Sequence, residues 1–237
     1  MMPQENLEPF FRWYGQEPHQ MEAIQMLQQQ MPDSLLKHDS AWIEHYRQKP
    51  VDPPSEDAVN PLDVPYDCQL DNPSGDGWRE CFSSSCAMTA MFWGVIDDPN
   101  EYHEVRPRFG DSTEASAQIR TLQHFGLNAR FVQVGSVELL KKQIDRGRPA
   151  PVGFLHHGPV TAPTGGGHYL CAIGHYDDAD GGGLIANDPY GECNLVYGGY
   201  GKTGGIYGKC IKYSWRNWAP RWSVSNDHDG WGLDIWK

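Results

Sequence analysis

The chain reads as an α+β protein, with helices gathered toward its front and an antiparallel sheet toward its back. The first half carries apolar residues at helical spacing, as in Ala115, Ile119 and Leu122. After Ala150 the pattern changes to short runs rich in β-branched and aromatic residues, cut by glycines at short intervals. Segregation of the two periodicities is the mark of α+β packing rather than of a parallel α/β sheet.

Met21, Ile24, Leu27 and Met31 predict one helix after Pro18, and Leu35, Leu36, Trp42, Ile43 and Tyr46 a second. Residues 1–48 are therefore expected to be a helical extension. Residues 49–61 follow as a linker, with four prolines and three acids. The main domain is expected over 62–224. Its first helix starts at Cys81. The acidic D-D-P-N stretch after Gly94 reads as a turn, and Asp111 with Glu114 as a capping box opening the next helix. A strand is expected at Ala129–Val134 and a short helix over Val137–Ile144. Further strands are expected at Pro151–Leu155, His168–Tyr176, Leu184–Asn187, Asn194–Tyr197, Ile206–Tyr213 and Trp222–Val224. Residues 225–237 read as an aromatic tail, in which Trp231 and Trp236 dock on the main domain or on another subunit.

The net charge of −12 and the lack of a basic patch argue against nucleic acid as the main partner. No stretch of about 18 apolar residues exists to span a membrane. The acidic N-terminus lacks a signal-type apolar region, which predicts synthesis in the cytoplasm. The six cysteines are widely spaced and without C-x-x-C pairs, so they read as mostly buried free thiols and not as a structural zinc site.

One stretch, Q-L-D-N-P-S-G-D-G-W-R-E-C-F-S-S-S-C-A-M from Gln69, places Cys81 where a Gly- and Pro-rich loop meets a helix. A helix N-terminus stabilises a thiolate through its dipole and free N–H groups. A cysteine nucleophile also needs a base, an orienting group and oxyanion donors. His168 opens a strand, and Asp188 closes the next one. If those strands are antiparallel neighbours, the two residues meet at one sheet edge. Gln69 lies upstream, where its amide can join the Cys81 N–H in an oxyanion hole. The order Gln, Cys, His, Asp is that of a papain-like cysteine peptidase.

Other readings compete with this one. Cys86 is a rival nucleophile, but it lies more than a turn into the helix and its sulfur is expected in the core. His156 and His157 alternate on a strand, so at most one of them joins His168, either in a zinc site or along a groove. His157 and Trp78 are the candidate groove residues for substrate. Asp177, Asp178 and Asp180 could hold calcium, but they lack a full loop pattern and read as a solvated turn.

The segments V-P-Y-D-C-Q-L-D-N, C-F-S-S-S-C-A-M, G-G-G-H-Y-L-C-A-I-G-H and N-D-P-Y-G-E resemble the papain-fold peptidases (clan CA) related to the bacteriocin double-glycine leader peptidases, in their stand-alone branch. The resemblance covers residues 62 to 224. It implies a papain-like fold, no cofactor, and Gln69, Cys81, His168 and Asp188 as oxyanion donor, nucleophile, base and orienting residue. Two features depart from the family: Cys-Phe-Ser stands where Cys-Gly-Pro is usual, and the Leu70–Glu80 loop is long. By analogy the substrate is a peptide of the bacterial cell wall, in a protein that can be phage-associated. The alternative is a structural subunit of a phage tail, baseplate or secretion particle that keeps the fold.

Overall fold

The structure is a computed structural model, and it describes residues 60–225 and 227–237. The expected helical extension and most of the linker lie outside the described residues. Five α-helices and eight strands follow: α1 Cys81–Phe92, α2 Pro99–Val105, α3 Ala115–His124, β1 Asn128–Gly135, α4 Val137–Asp145, β2 Ala150–Phe154, β3 His168–Tyr176, β4 Gly183–Asn187, β5 Gly191–Cys193, β6 Tyr200–Thr203, β7 Ile211–Ser214, α5 Trp215–Trp222 and β8 Gly230–Trp236. Six of the strands form an antiparallel sheet in the order β1-β8-β2-β3-β4-β7, and β5 and β6 pair separately.

Helix α1 is small-residue rich and buried from Phe82 to Ala90, as a helix enclosed on all sides must be. It packs against α2, α3, β2 and β3. On β3, Tyr169 stacks on Phe82, and Cys171 lies 3.5 Å from Thr89 Oγ1, so these alternate residues face α1. On β2, Val152 borders Leu140 and Trp222, and Phe154 meets Trp218, so α4 and α5 cover the other side.

Three expectations are corrected by local chemistry. The D-D-P-N stretch is the start of α2: Asp98 accepts from Asn100 N, Glu101 reaches back to Asp98 N, and Pro99 sits at the first helical position. Asp111 and Glu114 do bond, but they close a turn, and α3 starts at Ala115. Tryptophans misled the back half, where Trp215–Trp222 is a helix and no strand spans Trp222–Val224. The strands expected at Asn194–Tyr197 and Ile206–Tyr213 shrink to a turn and to β7, displaced in part by β5 and β6.

The aromatic tail is also corrected. Residues 230–236 are β8, which pairs with both β1 and β2 inside the sheet. Trp231 is buried at 1% exposure, and it fits because Gly153 leaves room: a Cβ there would run into the indole.

Candidate active site

Cys81 is the first residue of α1 and is half-buried. His168 is the first residue of β3, and Asp188 follows β4 directly. Strands β3 and β4 are antiparallel neighbours, which brings His168 Nε2 to 2.7 Å from Asp188 Oδ1. Both side chains are buried, at 5% and 0% exposure. With Nε2 committed to Asp188, Nδ1 is the nitrogen left for Cys81, which acts on the imidazole from nearby. Burial opposes a charge on His168, but the Asp188 carboxylate and Cys81 outweigh it and raise its pKa to about 10.

Asp188 is held from several sides. Tyr200 donates to Oδ2 at 2.9 Å, Tyr213 approaches the same oxygen at 3.4 Å, and the Tyr190 N–H donates to Oδ1 at 3.0 Å. The Asp188 N–H donates to Gly208 O, and Tyr66 donates to the Asp188 carbonyl. Burial pushes the hydroxyls of Tyr200 and Tyr213 well above the ordinary phenol range, so both remain donors. These tyrosines were invisible as site residues in the sequence, because they come from β6, β7 and a turn.

Gln69 begins a 3₁₀ turn and is 1% exposed. Its N–H donates to Pro189 O at 2.9 Å, which ties it to the residue after Asp188. Its side-chain nitrogen donates to Gly77 O at 2.6 Å, so the long loop folds back onto it. Gly77 is required there, since a Cβ would collide with the Gln69 carbonyl.

The rival and peripheral residues separate clearly. Cys86 and Cys171 are buried, and burial raises both thiols. His156, not His157, is the neighbour of His168, with ring centroids 5.7 Å apart. Burial, together with His168, His157 and Arg221, lowers the His156 pKa to about 3, so it is a neutral wall of the site. His157 is exposed, bridged through its backbone to Thr164. Trp78 is 70% exposed on the long loop, with the Arg79 guanidinium 5.7 Å from its ring. Asp178 caps its own turn through the N–H groups of Asp180 and Gly182. Among the described residues no group of three or more His, Cys, Asp and Glu is placed to hold a metal ion.

One further residue organises the rim. Arg221 is completely buried, and its guanidinium donates to the carbonyls of Leu155, His157, Gly158 and Leu195. It clamps the segment carrying His156 to the one after β5.

No protein-family model matches the chain, and neither does any curated protein. The fold matches that of a C39-like peptidase from Bacillus anthracis, with a TM-score of 0.50, 14% identity, and coverage of 76% of this chain and 98% of that one. Two other solved structures align at a TM-score of 0.42 and 16% identity. One is a double glycine motif protease from an AMS/PCAT transporter, solved with its leader peptide, over 75% of this chain and 97% of its own. The other is the peptidase domain of Streptococcus ComA, a bifunctional ABC transporter, over 67% and 91%. The architecture is the papain-like fold. More particularly, it is the C39-like form of that fold.

Proposed function

We propose that the protein is a cysteine peptidase in which Cys81, His168 and Asp188 act by acyl transfer. The observation that carries this reading is the buried imidazole bonded to Asp188 through Nε2, with Cys81 at the start of α1 close enough to help raise its pKa. The Cys81 thiolate, paired with protonated His168, attacks the scissile carbonyl carbon. The resulting oxyanion takes hydrogen bonds from the Cys81 N–H at the head of α1 and from the second N–H of the Gln69 amide, the first being held by Gly77. His168 then gives its proton to the leaving amine, and the thioester forms. Water, deprotonated by His168, hydrolyses that thioester and restores the thiol.

The substrate we propose is a peptide of the bacterial cell wall. An extended ligand is supported by exposed apolar side chains on two loops beside the site: Leu70 and Trp78 on the Gln69 loop, and Ile206 and Tyr207 on the turn that Leu70 borders at Gly204. His157 and Trp78 are the proposed groove contacts. The test is incubation with purified peptidoglycan and mass spectrometry of the released fragments. New amino and carboxyl termini within the stem peptides, absent with Cys81→Ala and present with Cys86→Ala, are expected. Full cleavage by Cys81→Ala would overturn the nucleophile assignment.

A further inference from the structure

The side of the sheet that α4 covers carries a cavity and a set of charges that nothing among the described residues answers. The cavity has room of about 70 Å³ and is walled by Val132, Leu139, Leu140, Trp222 and Leu233, with Gln143 and Asp234 as polar members. It is about half the size of an apolar cavity that takes benzene, and it suits the end of one aliphatic side chain. Basic residues gather along α4 and just past it. Arg130 pairs with Asp234, and Lys141 with Asp177. Lys142, Arg146 and Arg148 have no ion pair among the described residues. Arg146 Nε is also buried without a hydrogen-bond partner there. Glu138 stands at the far end of α4, in its first turn.

We propose that this face is the docking surface for residues 1–48 of the same chain, with one apolar side chain of the Met21, Ile24, Leu27 and Met31 stripe entering the cavity. Three observations select that occupant. The first is the point where the chain enters the domain. Asn60 Nδ2 donates to the His175 carbonyl at 2.8 Å, and the His175 N–H donates to Asn60 Oδ1 at 2.9 Å. His175 Nε2 lies 2.8 Å from Oδ1 of Asp145, the last residue of α4. The segment before Asn60 therefore leaves the domain beside α4. The second is reach. Residues 49–59 span up to about 36 Å when extended, and α4 is about 14 Å long. The third is charge. Residues 1–59 hold ten carboxylates against four lysines and arginines, which complements the three unanswered cations at the end of α4. Because α4 lies across the sheet from α1, a segment seated there does not cover Cys81.

The test is zero-length carbodiimide cross-linking of the full chain, run on a mixture of unlabelled and isotope-labelled protein and read by peptide mass spectrometry. Peptide cleavage does not enter the readout. Expected are amide links from Lys141 and Lys142 to carboxylates of residues 1–59, formed within one isotope class. Leu139→Asp puts a charge in the cavity wall and keeps both lysines, so it should reduce these links roughly tenfold. Should that variant fail to fold by circular dichroism, Leu27→Asp alters the docking segment alone. It should give the same loss, together with faster hydrogen exchange over residues 137–145. Wild-type link yields in Leu27→Asp would overturn the proposal. Links that join the two isotope classes as often as each class to itself would overturn it as well, by making the occupant a second copy. Links from residues 1–59 to Lys202 and Lys209 in place of Lys141 and Lys142 would do the same, by placing the segment elsewhere on the domain.

Discussion

Phe82 lies face to face on Tyr169, with ring centroids 3.6 Å apart and planes 6° from parallel. Each ring is the chain neighbour of a proposed catalytic residue, Phe82 of Cys81 and Tyr169 of His168. The stack therefore fixes the thiol and the imidazole relative to each other through two rigid rings. It also gives a physical reason for Phe at the position after Cys81.

Phe82→Ala should lower stability by about 3–5 kcal/mol, the usual cost of emptying a buried aromatic site. Peptidase activity should fall further than unfolding alone accounts for, because the spacing of the two groups is released. Urea denaturation with kcat measured well below the transition checks both effects.

Tyr200→Phe removes the shorter of the two phenol bonds to Asp188 Oδ2 and leaves Tyr213 at 3.4 Å. An expected loss of about 1–3 kcal/mol follows from leaving a buried charged acceptor short of a donor. The orienting carboxylate gains freedom, so kcat should drop while KM holds. A raised KM with unchanged kcat would place Tyr200 in substrate binding instead.

The raised His168 pKa has a definite sign. A group whose folded pKa exceeds its unfolded value contributes stability that is full below the ordinary imidazole range and is lost as pH rises through about 10. Activity should lose its alkaline limb over the same interval, since the imidazolium is the proton donor. Asp188→Asn removes the main charge that holds the proton, so this limb should shift to lower pH. A pH profile of kcat/KM, with imidazole titration by NMR, reads both.

Arg221→Met should leave four carbonyls without their shared donor and cost about 2–4 kcal/mol. Arg221→Lys should rescue little, because an ammonium cannot span the positions served by the guanidinium fork. Faster hydrogen exchange across residues 155–158 in both variants is the expected signature.

How much of this was legible in the sequence depended on how local the cause was. Strand β3 and helix α4 were readable because an apolar run and a helical spacing of Val137, Leu140 and Ile144 lie within the segments themselves. The meeting of His168 with Asp188 followed from one strand pair, a short-range inference. Arg221, and His103, which bonds Asp67, were not readable as partners, because each acts across a wide gap in sequence. Tyr200, though only 12 residues from Asp188, lies on a short strand, β6, that the sequence did not mark. The sequence reading puts Trp231 in a tail docking on the main domain or on another subunit, and its place inside the sheet was not legible because nothing in the tail shows that Gly153 lies opposite. Helix α2 was hidden by its own start signal, since Asp-Pro reads equally as a turn and as a helix cap.

The placement of β8 fixes the order in which the protein can be completed. Asn128 pairs with Trp236, so β1 waits for more than a hundred residues to be added before its partner exists. Until residues 230–236 leave the ribosome, β1 has no neighbour, and β2 lacks the strand on its far side. Loop closure of that span is slow and is repaid only at the last step. Cys81, His168 and Asp188 are all translated well before then. A sheet built this way stays incomplete during the chain's own synthesis, and a single proteolytic nick between α5 and β8 would return it toward that state.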